Sequence, residues 1–231
     1  MFSSNQFEAS LRKNGTSHSL TVVCMTIQAL LFCSLSFSQQ VELDDVRSIE
    51  TELRTLSNES ISLPPKQGHL VVCFLGIECP LAKLYAPRIN QIAVEYAAKG
   101  FQFVAINSNR QDSTEEWREF AKSVELVFPI VKDHNNLIAD KLGVIRNPEV
   151  IVIAPDGSVP YRGRVDDQYS PGVVRAKVSR QELKTALMEL DRGVPVSVPV
   201  TKPEGCLIGK VKKPANEATV TYSQHLSLIH I

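Results

Sequence analysis

Val71-Val72-Cys73-Phe74-Leu75-Gly76-Ile77-Glu78-Cys79-Pro80-Leu81-Ala82-Lys83 is the stretch that decides the fold. The apolar, partly β-branched run up to Leu75 suits a strand covered on both faces. Gly76 permits a tight turn. Pro80 fits the first position of a helix, where its missing N–H costs nothing, and this puts Cys79 at the helix start. Unpaired backbone N–H groups and the positive end of the helix dipole favour a thiolate there, so Cys79 is the expected reactive centre. Glu78 precedes it. A carboxylate here would oppose ionisation of the thiol, relay a proton, or simply supply negative charge to a helix N-terminus. Lys83, one turn on, either adds positive charge near the thiol or is a solvated surface lysine.

Outward from this stretch the chain alternates strand and helix. His69–Leu75 reads as a strand and Pro80–Lys99 as a helix, with Leu81, Leu84, Tyr85, Ile89, Ile92 and Tyr96 at helical spacing. Pro87 predicts a kink in it. Phe101–Ile106 is the next strand. Ser113 and Glu116 form a capping-box pattern that opens a helix over Ser113–Val124. Val127–Val131 reads as a short strand, and Asn135–Leu142 as a short helix ended by Gly143. Glu149–Ala154 and Ser158–Val165 are strands joined by the turn Pro155-Asp156-Gly157. Ser179–Arg192 is the last helix, with Ser179 as cap and Gly193 as stop. Upstream, Leu53, Thr55, Ile61 and Leu63 alternate around Ser57-Asn58-Glu59 as a hairpin. The order predicts an α/β domain with a mixed sheet, parallel first and antiparallel at the hairpin.

Strand, then Glu-Cys-Pro-Leu-Ala-Lys, then Pro87 along the helix resembles the active-site segment of the thioredoxin-like superfamily. Within it, the chain is most similar to the redoxins that join alkyl hydroperoxide reductase/thiol-specific antioxidant proteins to periplasmic thiol-disulfide oxidoreductases. The resemblance implies a three-layer α/β/α sandwich with a mixed central sheet. Two departures bear on the chemistry. The second cysteine of the dithiol motif would fall on Ala82, so the usual one-turn dithiol cycle is excluded. The Pro and Thr that precede a peroxiredoxin cysteine are replaced by Val72 and Gly76.

The resemblance also implies a cis-proline beside the active cysteine, and Pro148 matches it. Asn147 would offer backbone groups to an extended substrate, and Arg146 would either help hold the thiolate or be a surface charge. Asn107-Ser108-Asn109-Arg110 ends a strand on the side where α/β sheets form crevices, and closes one wall of the site or is a simple turn. Arg164-Val165-Asp166-Asp167-Gln168-Tyr169 follows the hairpin as a polar loop near the site.

Five cysteines are present, Cys24, Cys33, Cys73, Cys79 and Cys206, with no zinc-knuckle spacing and no Cys-x-x-Cys-His. Neither a metal nor another cofactor is expected. Residues 1–38 read as a signal peptide: Arg12 and Lys13, an apolar run of about 16 residues, then Ser36-Phe37-Ser38. A membrane anchor is the alternative, although the run is short for a span of roughly 20 residues. Removing this segment leaves three cysteines in a secreted or periplasmic setting where disulfides persist. Cys73, in mid-strand, should face the core. Cys206, on a mobile tail, is then the candidate resolver of an oxidised Cys79; otherwise it is buried or pairs outside the chain.

Residues 39–193 are expected to form the redoxin domain and 194–225 an extension. Leu226–Ile231 resembles translated adapter sequence and is read as a non-native end of a truncated chain. Thr221-Tyr222-Ser223-Gln224-His225 is similar to the junction that leads related redoxins into a haem-c domain, which would make such a domain a partner in a longer parent. The 25 basic and 25 acidic residues cancel, so no electrostatic footprint for nucleic acid is present.

The expected function is thiol-based redox chemistry, with Cys79 attacking a peroxide and Cys206 or an external thiol reductant resolving. The alternatives are a thiol-disulfide oxidoreductase that takes protein disulfides without peroxide activity, and a non-catalytic thioredoxin-fold binding module.

Overall fold

A computed structural model of the protein describes residues 50–170 and 172–211. The predicted signal segment, the Thr221–His225 junction and the adapter-like end lie outside the described residues.

The central sheet has five strands in the order β5-β4-β3-β7-β8. These are β3 (His69–Phe74), β4 (Phe101–Asn107), β5 (Ile130–Lys132), β7 (Glu149–Ile153) and β8 (Tyr161–Gly163). β3 pairs in parallel with β4, and β4 with β5, while β7 runs antiparallel to both β3 and β8. The sheet is mixed in the expected way.

Strand alternation divides the core into two layers. Val71, Cys73, Phe103, Ala105, Val150 and Val152 face one set of helices. These are α1 (Pro80–Ala97), α2 (Thr114–Ser123) and α4 (Glu182–Asp191), which contribute Tyr85, Ile89, Trp117, Phe120, Leu183 and Leu187. Leu70, Val72, Phe74, Val104, Ile106 and Ile151 face the other way, onto α3 (Leu137–Lys141) and the hairpin β1 (Thr51–Arg54)–β2 (Ser60–Leu63). In the hairpin Leu53 opposes Ile61, as the alternation requires.

The capping box forms: Ser113 Oγ accepts from the Glu116 N–H at 3.2 Å, and the Glu116 carboxylate accepts from the Ser113 N–H at 2.8 Å. Helix α1 continues through Pro87 as one assigned helix.

Several boundaries move. β5 begins at Ile130 rather than Val127. The short helix is split: Asn135 and Asn136 take positive φ (61° and 58°) within a 3-10 turn over His134–Asn136, and α3 starts after them. Ser179 does not cap α4. Its N–H and that of Arg180 go to the Asp167 carboxylate, and the helix starts three residues later at Glu182.

Two small ladders were not expected. β9 (Tyr169–Ser170) pairs with β10 (Val173–Val174), and β6 (Arg146–Asn147) pairs antiparallel with β11 (Cys206–Leu207). The second of these builds the site.

Candidate functional site: a cysteine pair at the edge of the sheet

Cys79 is the N-cap of α1, with φ −80° and ψ 113°, and Pro80 follows it inside the helix. Its N–H closes the turn on the Gly76 carbonyl at 3.3 Å, and its own carbonyl accepts the first helical bond from Lys83 at 3.2 Å. The thiol does not cap the helix. It donates to the Asn147 carbonyl at 3.2 Å.

The loop before the cysteine is held from below. Asp112, 4% exposed, accepts from the Ile77 N–H at 3.2 Å, from Asn107 Nδ2 at 2.7 Å and from Asn109 Nδ2 at 3.0 Å. A Cβ on Gly76 would lie 2.5 Å from Asn109 Nδ2 and 2.6 Å from Asn147 Oδ1, so a larger residue would have to push both amides aside.

Across from Cys79 the Asn147–Pro148 peptide is cis. The tail runs beside it. Cys206 is the register partner of Asn147, and Leu207 that of Arg146. The Arg146 guanidinium donates to the Gly205 carbonyl at 2.8 Å. Gly205 has φ 152°, and a Cβ there would fall 2.0 Å from the Asn147 oxygen. The backbones touch, and glycine is the residue that allows it.

The tail is docked, not mobile as expected from its sequence. Before the site, Thr201 N–H bonds the Arg162 carbonyl at 3.0 Å, and the Arg162 N–H bonds Pro199 at 2.9 Å. After it, the Ile208 N–H reaches Ile145 O at 3.0 Å, the Gly209 N–H reaches Asn109 Oδ1 at 3.0 Å, and the Arg110 N–H reaches Gly209 O at 2.9 Å. Ile208 is buried in the second core layer. Residues 202–207 thus form a strap tied at both ends.

The strap sets Cys206 opposite Asn147, whose carbonyl accepts from the Cys79 thiol, and both cysteines are free thiols. Cys79 is 2% exposed, whereas Cys206 is exposed. Although much of Cys206 meets solvent, loss of water on its docked side pushes its thiol up to about 11. Its hydrogen bond to Cys79 and the Cys79 charge act in the same direction, and Arg146 opposes them. Cys73 is fully buried, and burial alone pushes its thiol far up, as befits an inert core cysteine.

The remaining predicted residues divide. Asn147 lies in the site, with its backbone engaged by both cysteines. Asn109 and Arg110 form one wall, by holding the tail. Arg146 is half-buried and donates to the strap at the Gly205 carbonyl. Glu78 and Lys83 are exposed, and among the described residues no hydrogen bond joins either side chain to Cys79.

The loop 164–169 has a role that its sequence did not disclose. Asp166 accepts from Tyr85 Oη at 2.9 Å and pairs with Arg88, so it fastens the middle of α1. Asp167 fastens the approach to α4. Asp112 and Gly205 were also missed. The only sequence signal for Gly205 was a glycine directly before a cysteine.

A cysteine at a helix start, facing a cis-proline beside a mixed five-strand sheet, defines a thioredoxin-fold thiol site. The AhpC/TSA family matches residues 45–162, about half of the chain, and the protein belongs to that family. Thiol-disulfide oxidoreductase ResA of Bacillus thuringiensis subsp. konkukian (strain 97-27) is 29% identical over 105 residues, 45% of this chain and 60% of that protein. Thioredoxin-like protein YneN of Bacillus subtilis (strain 168) is 30% identical over 109 residues, 46% of this chain and 63% of that protein. The chain therefore spans about 60% of the length of the curated relatives it matches. A hypothetical protein of Sinorhizobium meliloti 1021 shares the fold, with a TM-score of 0.64, 24% identity and coverage of 71% of this chain and 92% of that one. The strap lies beyond the residues that the family matches.

Proposed function

We propose that the protein is a thiol-disulfide oxidoreductase whose two working sulfurs are Cys79 and Cys206. The observation that carries this reading is the antiparallel pairing of Cys206 with Asn147, the residue whose carbonyl accepts from the Cys79 thiol. It supplies the partner that Ala82 cannot. The names of the curated relatives support disulfides as the substrate class in preference to peroxide.

In the proposed cycle the strap first lifts from Asn147 and uncovers Cys79, and the Cys79 thiolate attacks one sulfur of a substrate disulfide. An S–S bond forms to Cys79, and the first substrate thiolate leaves and takes a proton. Cys206 then gives up its proton and attacks the Cys79 sulfur. The second substrate thiol leaves, and a Cys79–Cys206 disulfide remains. The substrate gains two electrons and the pair loses them. An external dithiol, or two external thiols in turn, returns the pair to its reduced state and leaves as a disulfide. We assign this chemistry to a secreted or periplasmic domain, after removal of residues 1–38.

Burial of Cys79 favours a second reading, since a peroxide passes where a folded protein does not. There the thiolate would attack one peroxide oxygen, leaving a sulfenic acid and water. Condensation with Cys206 would release a second water and give the same disulfide.

Oxidised and reduced protein are compared on a non-reducing gel, with the wild type beside Cys206→Ser. A mobility change in the wild type that the variant lacks supports the pair. Unchanged mobility in both, with no disulfide by peptide mass, overturns it and leaves a binding module. Peroxide consumption, followed separately, decides between the two oxidants.

A further inference from the structure

We propose that a protein dithiol reduces the Cys79–Cys206 disulfide by attacking the Cys206 sulfur, with the strap still docked. This proposal rests on the disulfide reading above and specifies which sulfur faces the partner.

The geometry carries it. A thiolate displaces a sulfur in line, approaching from the side opposite the sulfur that leaves, so access behind each sulfur decides which one is attacked. Cys79 is 2% exposed: its thiol lies on the Asn147 carbonyl and its side chain joins the first core layer with Leu81, Tyr85 and their neighbours, which leaves almost no surface for an incoming sulfur. A partner sulfur does not reach Cys79 while the strap is docked. Cys206, by contrast, is exposed in the docked strap. The matching single-cysteine reading, with Cys79 as the sulfur that meets every partner, would need the strap to leave both of its anchors. Those anchors include four backbone hydrogen bonds and the buried Ile208.

The steps balance. The partner thiolate bonds to the Cys206 sulfur as the Cys79–Cys206 bond breaks. Cys79 leaves as a thiolate at the first turn of an 18-residue helix, where the positive end of the dipole receives it. It then takes a proton. The second thiol of the partner loses its proton and attacks the partner sulfur in the mixed disulfide. Cys206 is released, and the partner departs as a disulfide. Two electrons pass from the partner dithiol to the cysteine pair. Arg146, which donates to the Gly205 carbonyl, holds Cys206 outward during the exchange and is a positioning residue.

The test uses the full chain, oxidised, with its disulfide first mapped by peptide mass. It is mixed with a reduced thioredoxin whose second active-site cysteine is serine, so that the probe attacks once and stays attached. The reaction is quenched in acid within seconds and the linked peptide identified. The expected adduct is on Cys206, in about tenfold or greater excess over Cys79, and the excess collapses in Gly205→Ala, where the strap cannot dock. An adduct mainly on Cys79, or none on Cys206, overturns the proposal. Absence of the Cys79–Cys206 disulfide before the probe is added is a separate result, and it removes the underlying reading instead.

Discussion

The thiol of Cys79 donates to the carbonyl of Asn147 across 3.2 Å, and this same Asn147 is the backbone partner of Cys206. One residue before the cis-proline therefore accepts from the thiol of one cysteine and pairs with the backbone of the other. The nearness of the cysteines is set by a two-residue ladder rather than by a helical turn, and it depends on the backbone contact that Gly205 permits.

Gly205→Ala is expected to lift the strap. The added Cβ would meet Asn147 O at 2.0 Å and Pro148 Cδ at 2.9 Å, and neither is the end of a flexible side chain. Disulfide formation between Cys79 and Cys206 should slow by about tenfold or more as proximity is lost, with the far-UV spectrum unchanged. A time course on non-reducing gels checks this. An unaltered rate would mean that the ladder is not what brings the thiols together.

Ile208→Ala is expected to loosen the same strap from its far anchor. Ile208 is 6% exposed, and burial of such a side chain contributes about 1.5–3 kcal/mol. Its loss should raise the open population roughly ten- to hundredfold, read as faster modification of Cys79 by a bulky maleimide. If the labelling rate stays at the wild-type value, the upstream anchor on Arg162 is sufficient alone.

Cys206 carries a pH prediction. Burial raises its thiol most, the hydrogen bond to Cys79 and the Cys79 charge raise it further, and Arg146 lowers it, leaving it at about 11. Cys79→Ala removes two of the raising causes, so the Cys206 thiolate should appear at lower pH; Arg146→Ala should move it upward. The docked strap prefers the neutral thiol. Docking is thus complete below the ordinary thiol range and weakens as pH climbs from there toward about 11. Site-resolved alkylation by iodoacetamide against pH gives the midpoints, and an upward movement in Cys79→Ala would contradict the assignment.

Asp112→Ala should destabilise the domain by about 2–4 kcal/mol in urea denaturation, because buried amide donors lose their acceptor. Those donors are the Ile77 N–H and the Asn107 and Asn109 side chains. Asp112→Asn keeps one acceptor oxygen and should recover part of the loss. Equal stability of all three proteins would show that water replaces the carboxylate without cost.

The strand, turn and helix around Cys79 were legible because hydrophobic runs and a Gly/Pro pair are local signals. The Ser113 capping box was legible for the same reason. Ser179 looked like a cap by residue type, but Asp167, a partner 12 residues away that composition does not reveal, binds the N–H groups of Ser179 and Arg180, and the helix starts only at Glu182. The strap was invisible for a stronger version of that reason. Its bonds are mostly backbone groups meeting residues 59 and 100 positions distant, made by segments too short and too irregular to have a period. Cys206 could be nominated by elimination, but its docking, and the Arg146 grip on it, could not.

The strap also changes how the groove will look to any free peptide. A segment tethered on both sides is present at its site at an effective concentration on the order of millimolar or above, whatever the total protein concentration. A peptide competing for the Asn147 backbone must displace that internal occupant. Its apparent affinity for the intact chain will therefore understate its affinity for the groove itself, and by a constant factor across a peptide series. Ranking of sequences survives this offset; absolute affinities do not. Among cysteine-containing peptides, those with glycine immediately before the cysteine are the ones the bare groove has room to hold in the register that the chain itself uses.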